Sequence, residues 1–302
     1  MLGYVAVLSA VIIWGLSYIV MKSSTAEYPQ LLFQFWRYAV VTFVYLAIFH
    51  RSLRAIPARI WRLGLIHLGL SYFVLSFFSI YAVQYTTPTR VVIINSFIIA
   101  VVPLLRWLLD RAMPTRQEGW AIVIAIAAIS LLVGPQENGL NLGDSLAFVG
   151  MIGSAYAIVL THQLLAKERA KVPQVSFLGV AGCAMFFAVA AAVYAWFNRE
   201  EAALSVLISQ PQTLAGIGYM VVFVSLAANL LQSYGQRRLP LVTVSLLFCL
   251  EPAVTAVLDY MILGNKPSLR VLLCGFLLIL ATASAAIPTK YRGSAKDATL
   301  DR

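Results

Sequence analysis

Glu251 is the residue of this chain best placed to do chemistry. It stands in Leu250-Glu251-Pro252 inside an apolar run, with Thr255 and Asp259 following at i+4 and i+8 on roughly one helical face. A carboxyl group in such surroundings can exchange a proton or, when ionised, pair with an ammonium group. Pro252 frees the carbonyl four residues back and favours a bend, so a cap on a kink or a structural ion pair is open as well. Arg37 interrupts a second apolar run. Its guanidinium keeps its proton and must reach a carboxylate, carbonyl, water or phosphate, either as a tether between parts of the fold or as a contact to a solute. Lys22 shares a face with Trp14 and Tyr18, where it could attract an anion or snorkel to headgroups. Arg90 has the same two options, whereas Asn95 lies deeper in its run.

Neutral polar residues form stripes at helical spacing. Ser225, Asn229, Gln232 and Gln236 put four hydrogen-bonding side chains along one face, too many for contact with hydrocarbon, and they read as the lining of a cavity. Tyr72, Ser76 and Ser79 repeat the pattern earlier in the chain. Trp14, Ser17 and Tyr18, at i, i+3 and i+4, could supply with Tyr72 and Tyr156 the aromatic wall of a pocket, or simply core packing. Enzymatic signatures are missing. His50, His67 and His162 are scattered, and neither HExxH nor GxxxxGK[ST] occurs. Cys183, Cys249 and Cys274 fall in apolar runs and read as packing residues. We expect no enzyme reaction, cofactor or metal, and no motion driven by nucleotide hydrolysis within this chain.

The elements that hold these residues follow from composition. Of 302 residues, 61% are apolar and only 11% charged, with mean hydropathy +0.85, which excludes a water-soluble globular domain. Apolar runs bounded by charges or turn residues predict helices near 2–22, 30–49, 63–84, 87–106, 119–134, 145–166, 174–197, 213–236, 239–264 and 270–287. The first lacks a basic leader region and a small-residue cleavage site before Lys22, and reads as a retained helix. Short loops and tails take up the remainder, leaving no room for a soluble domain.

The net charge of +10 would point to nucleic acid in a soluble protein, but the basic residues alternate by loop. Arg51 to Arg62, Arg106 to Arg116, Lys167 to Lys171, Arg237-Arg238 and the tail from Lys290 share one side, while Lys22, Arg90, Arg199, Lys266 and Arg270 take the other. That bias predicts cytoplasmic termini and accounts for the charge through the anionic inner leaflet, without nucleic acid. A shift of 153 residues lays Tyr72, Ser76 and Ser79 on Ser225, Asn229 and Gln232, and a shift of 142 lays Trp14-Gly15 on Tyr156-Ala157. Five helices per half is odd, so the halves must be inverted relative to each other, with a site expected between them at the midplane. The expected division is 1–134 for the first half, 135–144 for an outer linker, 145–288 for the second half and 289–302 for a basic tail.

Trp14-Gly15 with Lys22 eight residues on, Arg37 in the second helix and Leu250-Glu251-Pro252 in the ninth make the chain resemble the EamA-type branch of the drug/metabolite transporter superfamily over nearly its whole length. The resemblance implies a ten-helix carrier with a central cavity between its halves, often an exporter of amino acids or other small metabolites. Members usually carry Gly-Glu after the fourth and ninth helices, where this chain reads Leu109-Asp110 and Gly264-Asn265. Taken together, the expectation is an all-α secondary transporter in the inner membrane of a bacterium, a monomer or homodimer, moving an amino acid or related zwitterion by alternating access with protons as a coupling partner. Trp14, Ser17, Tyr18, Tyr72, Ser76, Ser79, Asn95, Tyr156, Asn229, Gln232 and Glu251 are its expected substrate contacts, and Glu251, Lys22 and Arg37 its coupling or pairing charges. A carrier of organic cations with an aromatic wall, and a non-transporting membrane scaffold, are the two alternatives.

Overall fold

The computed structural model describes residues 1–302 except 55, 112, 114–115, 134–140, 201–203, 265–268, 271, 274–275, 278–279 and 281–302. The described chain is helical: α1 (Leu2–Ser24), α2 (Gln30–Leu53), α3 (Ala58–Tyr85), α4 (Pro88–Asn95 with Ile98–Asp110), α5 (Arg116–Val133), α6 (Leu142–Ala166), α7 (Val172–Phe197), α8 (Pro211–Gln236) and α9 (Leu241–Phe248 with Glu251–Leu263). A short helix, Leu204–Ile208, joins α7 to α8. Among the described residues eight helices, all of these but α5 and the short connector, are long and apolar enough to cross a membrane. The expected fifth crossing is a helix. The expected tenth, 270–287, lies largely outside the described residues, as do Cys274, the tail and most of the 135–144 linker.

Helix ends follow local chemistry. Thr87 accepts from the Arg90 backbone N–H at 3.3 Å, and Pro88 opens α4 where no N–H is needed. Asn141 and Asp144 form a reciprocal capping box at the start of α6. Outward faces carry large, largely exposed apolar side chains such as Phe43, Trp120, Val189 and Met261. Such a belt is untenable in water and natural in lipid, where backbone groups must be paired inside each helix.

The halves repeat each other in detail. Both α4 and α9 consist of an 8-residue piece, a break and a 13-residue piece. Each closes on a left-handed residue, Arg111 (φ 53°) and Gly264 (φ 73°), which are 153 positions apart. This pairs Arg111, not Leu109, with Gly264 and corrects the register expected for the turns after α4 and α9. The two breaks meet, with Cys249 Sγ donating to the Ser96 carbonyl at 3.5 Å. Both α3 and α8 contain a stretch of wider π turns, Leu63–Leu68 and Met220–Ala228, an irregularity common at functional sites.

Contacts between the halves include two helix pairs running in opposite directions, α1 with α8 and α3 with α6, and one running the same way, α3 with α7. Along α1 and α8, Gly235 lies against Val7 at one end, and at the other Thr213 Oγ1 donates to the Ser24 carbonyl at 2.9 Å. Along α3 and α6, Gly143 lies against Ala82 and Thr86, and Gly153 against Ser71 and Leu75. Backbone meets backbone at the crossing of α3 and α7, where a Cβ on Gly182 would overlap the Leu65 carbonyl and lie 2.8 Å from the Gly69 Cα. Gly182→Ala is therefore expected to lower the thermal midpoint in detergent, at a cost of about 1–3 kcal/mol for overpacking. Gly218→Ala, with nothing within 4 Å, should keep the midpoint or raise it slightly through helix propensity. Equal shifts for the two would contradict a close crossing.

Candidate functional site

Between the halves lies a cavity of about 110 Å³, walled by side chains from α1, α2, α3, α4, α6, α8 and α9, with room for several waters or one small solute. Its wall follows the repeat. From α1 come Trp14, Ser17 and Tyr18, and from α6 Ser154, Ala157 and Ile158 with the same i, i+3, i+4 spacing, a register of 140 residues. From α3 come Ser76 and Ser79, matched by Asn229 and Gln232 of α8; from α4 come Asn95 and Ile98, matched by Phe248 and Glu251 of α9.

The register of 140 corrects one expectation. Tyr156 does not line the cavity: two residues beyond Ser154 puts it about 200° round the helix, and it is half-buried against the core. Lys22 is also outside the wall. Its Nζ donates to the Thr86 carbonyl at 3.2 Å, joining α1 to the α3–α4 turn. All the other expected contacts, and Arg37, border the cavity. Within the polar stripe of α8 the roles divide. Asn229 and Gln232 face the cavity, Ser225 sits behind them bonded to Arg37, and Gln236 is buried outside the wall with no partner for its amide.

The polar groups of the wall fall into two sets. Some are held by protein: Ser17 Oγ donates to the Trp14 carbonyl at 2.7 Å, Tyr38 shares a 2.5 Å hydrogen bond with Ser76 Oγ, Asn229 Nδ2 donates to the Ser225 carbonyl at 3.0 Å, and Asn95 Nδ2 donates to Tyr18 Oη at 2.6 Å. Others have no protein partner. Ser79 Oγ and Asn95 Oδ1 are buried without one, and among the described residues neither the Gln232 amide nor the Glu251 carboxyl group makes a hydrogen bond. Buried polar atoms are nearly always paired, so this surface is built to meet water or solute.

Glu251 opens the second piece of α9, beside the break at Cys249-Leu250. Pro252 has no N–H to offer Phe248, and Ala253 and Val254 both bond to Leu250 instead, so the ladder is interrupted and the positive end of the Glu251–Leu263 dipole lies at the carboxylate. Trp14 and Phe248, on the same wall, meet edge to face with centroids 5.3 Å apart. Arg37, 7% exposed, donates through Nε to Ser225 Oγ at 2.8 Å and through Nη1 to Gln34 Oε1 at 3.2 Å. Gln34 is fixed in turn by its Nε2, which donates to the Ser76 carbonyl at 3.1 Å.

Gln34, Tyr38 and Ser154 belong to the wall without having been singled out from the sequence. Gln34 had a signal, a second polar residue one turn before Arg37 in an apolar helix. Another missed group lies at one end of the bundle, where Arg90 pairs with Asp144, buried beside Thr86. Asp259 is also buried, and accepts from Thr89 Oγ1 at 3.1 Å.

Comparison with known proteins places this architecture. A solved structure, titled only as the crystal structure of a protein, superposes with a TM-score of 0.70 over 94% of this chain and 96% of its own, at 15% identity, a likeness of fold. No curated protein matches the chain. The model of the EamA-like transporter family matches residues 1–134 and again 141–286. With its paired halves, apolar belt and central polar cavity, the chain belongs to the EamA-like transporter family, and is an integral membrane transporter of the drug/metabolite superfamily.

Proposed function

We propose that the protein is a secondary carrier of a small polar metabolite, an amino acid or related zwitterion, that binds in the cavity between the halves. The observation that carries this reading is one small wall that brings together Glu251 and Gln232 with two buried polar atoms that have no hydrogen-bond partner among the described residues, Asn95 Oδ1 and Ser79 Oγ. Glu251 takes the ammonium group or a coupling proton, the amides and hydroxyls take the remaining polar atoms, and Trp14, Tyr18 and Tyr72 close the apolar side. Alternating access is supported by the matching breaks of α4 and α9, which touch at Ser96 and Cys249 and give each half a place to bend. On this reading the protein lies in a bacterial inner membrane with both termini cytoplasmic, and the halves are 1–134 and 145–288.

The aromatic wall beside Glu251 favours a second reading, a carrier of organic cations. A packed scaffold without cargo would have no use for an unpaired carboxylate in a cavity. Thermal stabilisation of the purified protein by amino acids, amines, nucleosides and organic acids at two pH values separates these readings. A ligand at 100 times its dissociation constant adds about 2.7 kcal/mol of apparent stability. A saturable shift with amino acids is expected. Shifts with apolar cations alone would favour the second reading, and no shift with any solute would favour the scaffold.

A further inference from the structure

We propose that Arg37 is the anchor for a carboxylate of the transported solute, so that the cavity takes a compact zwitterion in one orientation, carboxylate on Arg37 and ammonium on Glu251. This rests on the reading that the solute binds in the cavity, and adds to it the residue that selects for the anionic end.

The argument starts from what Arg37 lacks. Among the described residues no carboxylate lies within 4.0 Å of this buried guanidinium, and its partners, Ser225 Oγ, Gln34 Oε1 and the Tyr38 ring 4.7 Å from Cζ, are all neutral. A buried charge without a counter-ion is costly unless something pairs with it. Glu251 borders the same cavity, and the two do not pair. A guanidinium and a carboxyl group thus face one small space without pairing with each other. A solute with a single charge satisfies one and leaves the other; a zwitterion satisfies both.

The hydrogen bonds already made define the face left over. Nε is committed to Ser225 and one N–H of Nη1 to Gln34. Among the described residues the other N–H of Nη1 and both of Nη2 make no hydrogen bond. One N–H from each nitrogen is what end-on, two-point binding of a carboxylate requires. Ser225 and Gln34 hold the plane of the fork, and Gln34 is itself braced on the Ser76 carbonyl. A tether alone would need only the Nε contact to α8.

Symmetry makes the placement informative. The scaffold is repeated, but the charges are not. The repeat partner of Glu251 is Ile98, and α7, the partner of α2, gives no side chain to the wall. Each half therefore supplies one charge, of opposite sign, at a place its counterpart leaves uncharged. The result is a cavity with a positive and a negative pole, which orients a dipolar solute instead of merely admitting it. At the negative pole, Asn95 Oδ1, buried and without a partner, can accept a second ammonium proton.

The test uses the purified full chain in detergent, with the twenty common amino acids and, for each, the amine that lacks its carboxylate. In the wild type, at least one amino acid should stabilise saturably, and its amine should bind about ten- to a hundredfold more weakly, the loss expected for a charge-assisted pair. In Arg37→Gln the amino acid should fall to the level of the amine while the amine is unaffected, and Arg37→Lys should recover part of the difference. A purely structural Arg37 would weaken both ligands together. Equal wild-type affinity for amine and amino acid overturns the proposal, and that comparison stands even where a variant does not fold. Transport of organic cations by proteoliposomes that do not transport amino acids would also overturn it while leaving the carrier intact; no transport of any solute overturns both.

Discussion

Replacing Glu251 with Gln is expected to cut flux of the transported solute in proteoliposomes by about tenfold or more, with little loss of folded protein. The first half of that expectation follows from charge. An ion-assisted hydrogen bond is worth about 1.5–3 kcal/mol, which is roughly ten- to a hundredfold in binding. The amide keeps the shape of the carboxylate but neither its charge nor its capacity for a proton. The second half follows from what Glu251 does not do. Among the described residues its carboxyl group makes no hydrogen bond, so no buried partner there is orphaned, and the loss is confined to about 0.3–1 kcal/mol of favourable interaction with the helix N-terminus. Arg37, Tyr18, Tyr38 and Tyr72 are the other charged or titratable groups on the wall, and none offers a second carboxylate. Flux in Glu251→Gln should therefore no longer respond to an imposed proton gradient. Full wild-type flux at every pH would remove Glu251 from the mechanism.

Much of this architecture is legible in the sequence because hydrocarbon leaves so few options. An apolar run in lipid must be a helix, and a stripe such as Ser225, Asn229, Gln232 cannot face the chains of the bilayer. The 153-residue offset seen in α3 and α8 holds for α4 and α9 down to the length of each piece. The sequence misleads where a small error of register reverses a direction. Trp14 and Tyr156 look alike as aromatics followed by small residues, but a two-residue difference carries Tyr156 to the far side of α6. Ser154 and Ala157, which do face the cavity, carry no chemical signal. Breaks are also hard to read. Pro252 marks that of α9, whereas the break of α4 at Ser96-Phe97 has no proline within it and is visible only as the structural counterpart of the other.

Asp144 shows the same limit at the end of the bundle, since its partner lies 54 residues away and nothing local reveals it. Among the described residues it holds four donors. Arg90 approaches through Nε at 3.0 Å and through Nη2, Thr86 Oγ1 donates at 3.4 Å, and the Asn141 backbone N–H donates at 3.0 Å. One side chain thus caps α6 and fastens it to the α3–α4 turn, across the junction of the two halves.

Removing Asp144 should be among the most destabilising single changes in the protein. The carboxylate side chain is 3% exposed and the guanidinium 21%, so water screens the pair only in part. Breaking a buried pair from one side costs about 3–5 kcal/mol. The partial exposure of Arg90 lowers that figure, and loss of the cap restores about 1 kcal/mol of it, which together give about 2–4 kcal/mol for Asp144→Ala. The Arg59–Glu168 pair is the internal control. It spans a comparable 3.1 Å, but Arg59 is 72% exposed, and screening and side-chain entropy hold such pairs to about 1 kcal/mol or less. Glu168→Ala should therefore leave the thermal midpoint nearly unchanged where Asp144→Ala lowers it by several degrees. A double-mutant cycle over Arg90 and Asp144 should give a coupling above 1 kcal/mol that survives added salt, because screening acts weakly on a buried pair. Equal midpoints for the two alanine variants, or a coupling that vanishes in salt, would mean that the far end is held by helix packing and not by this ion pair.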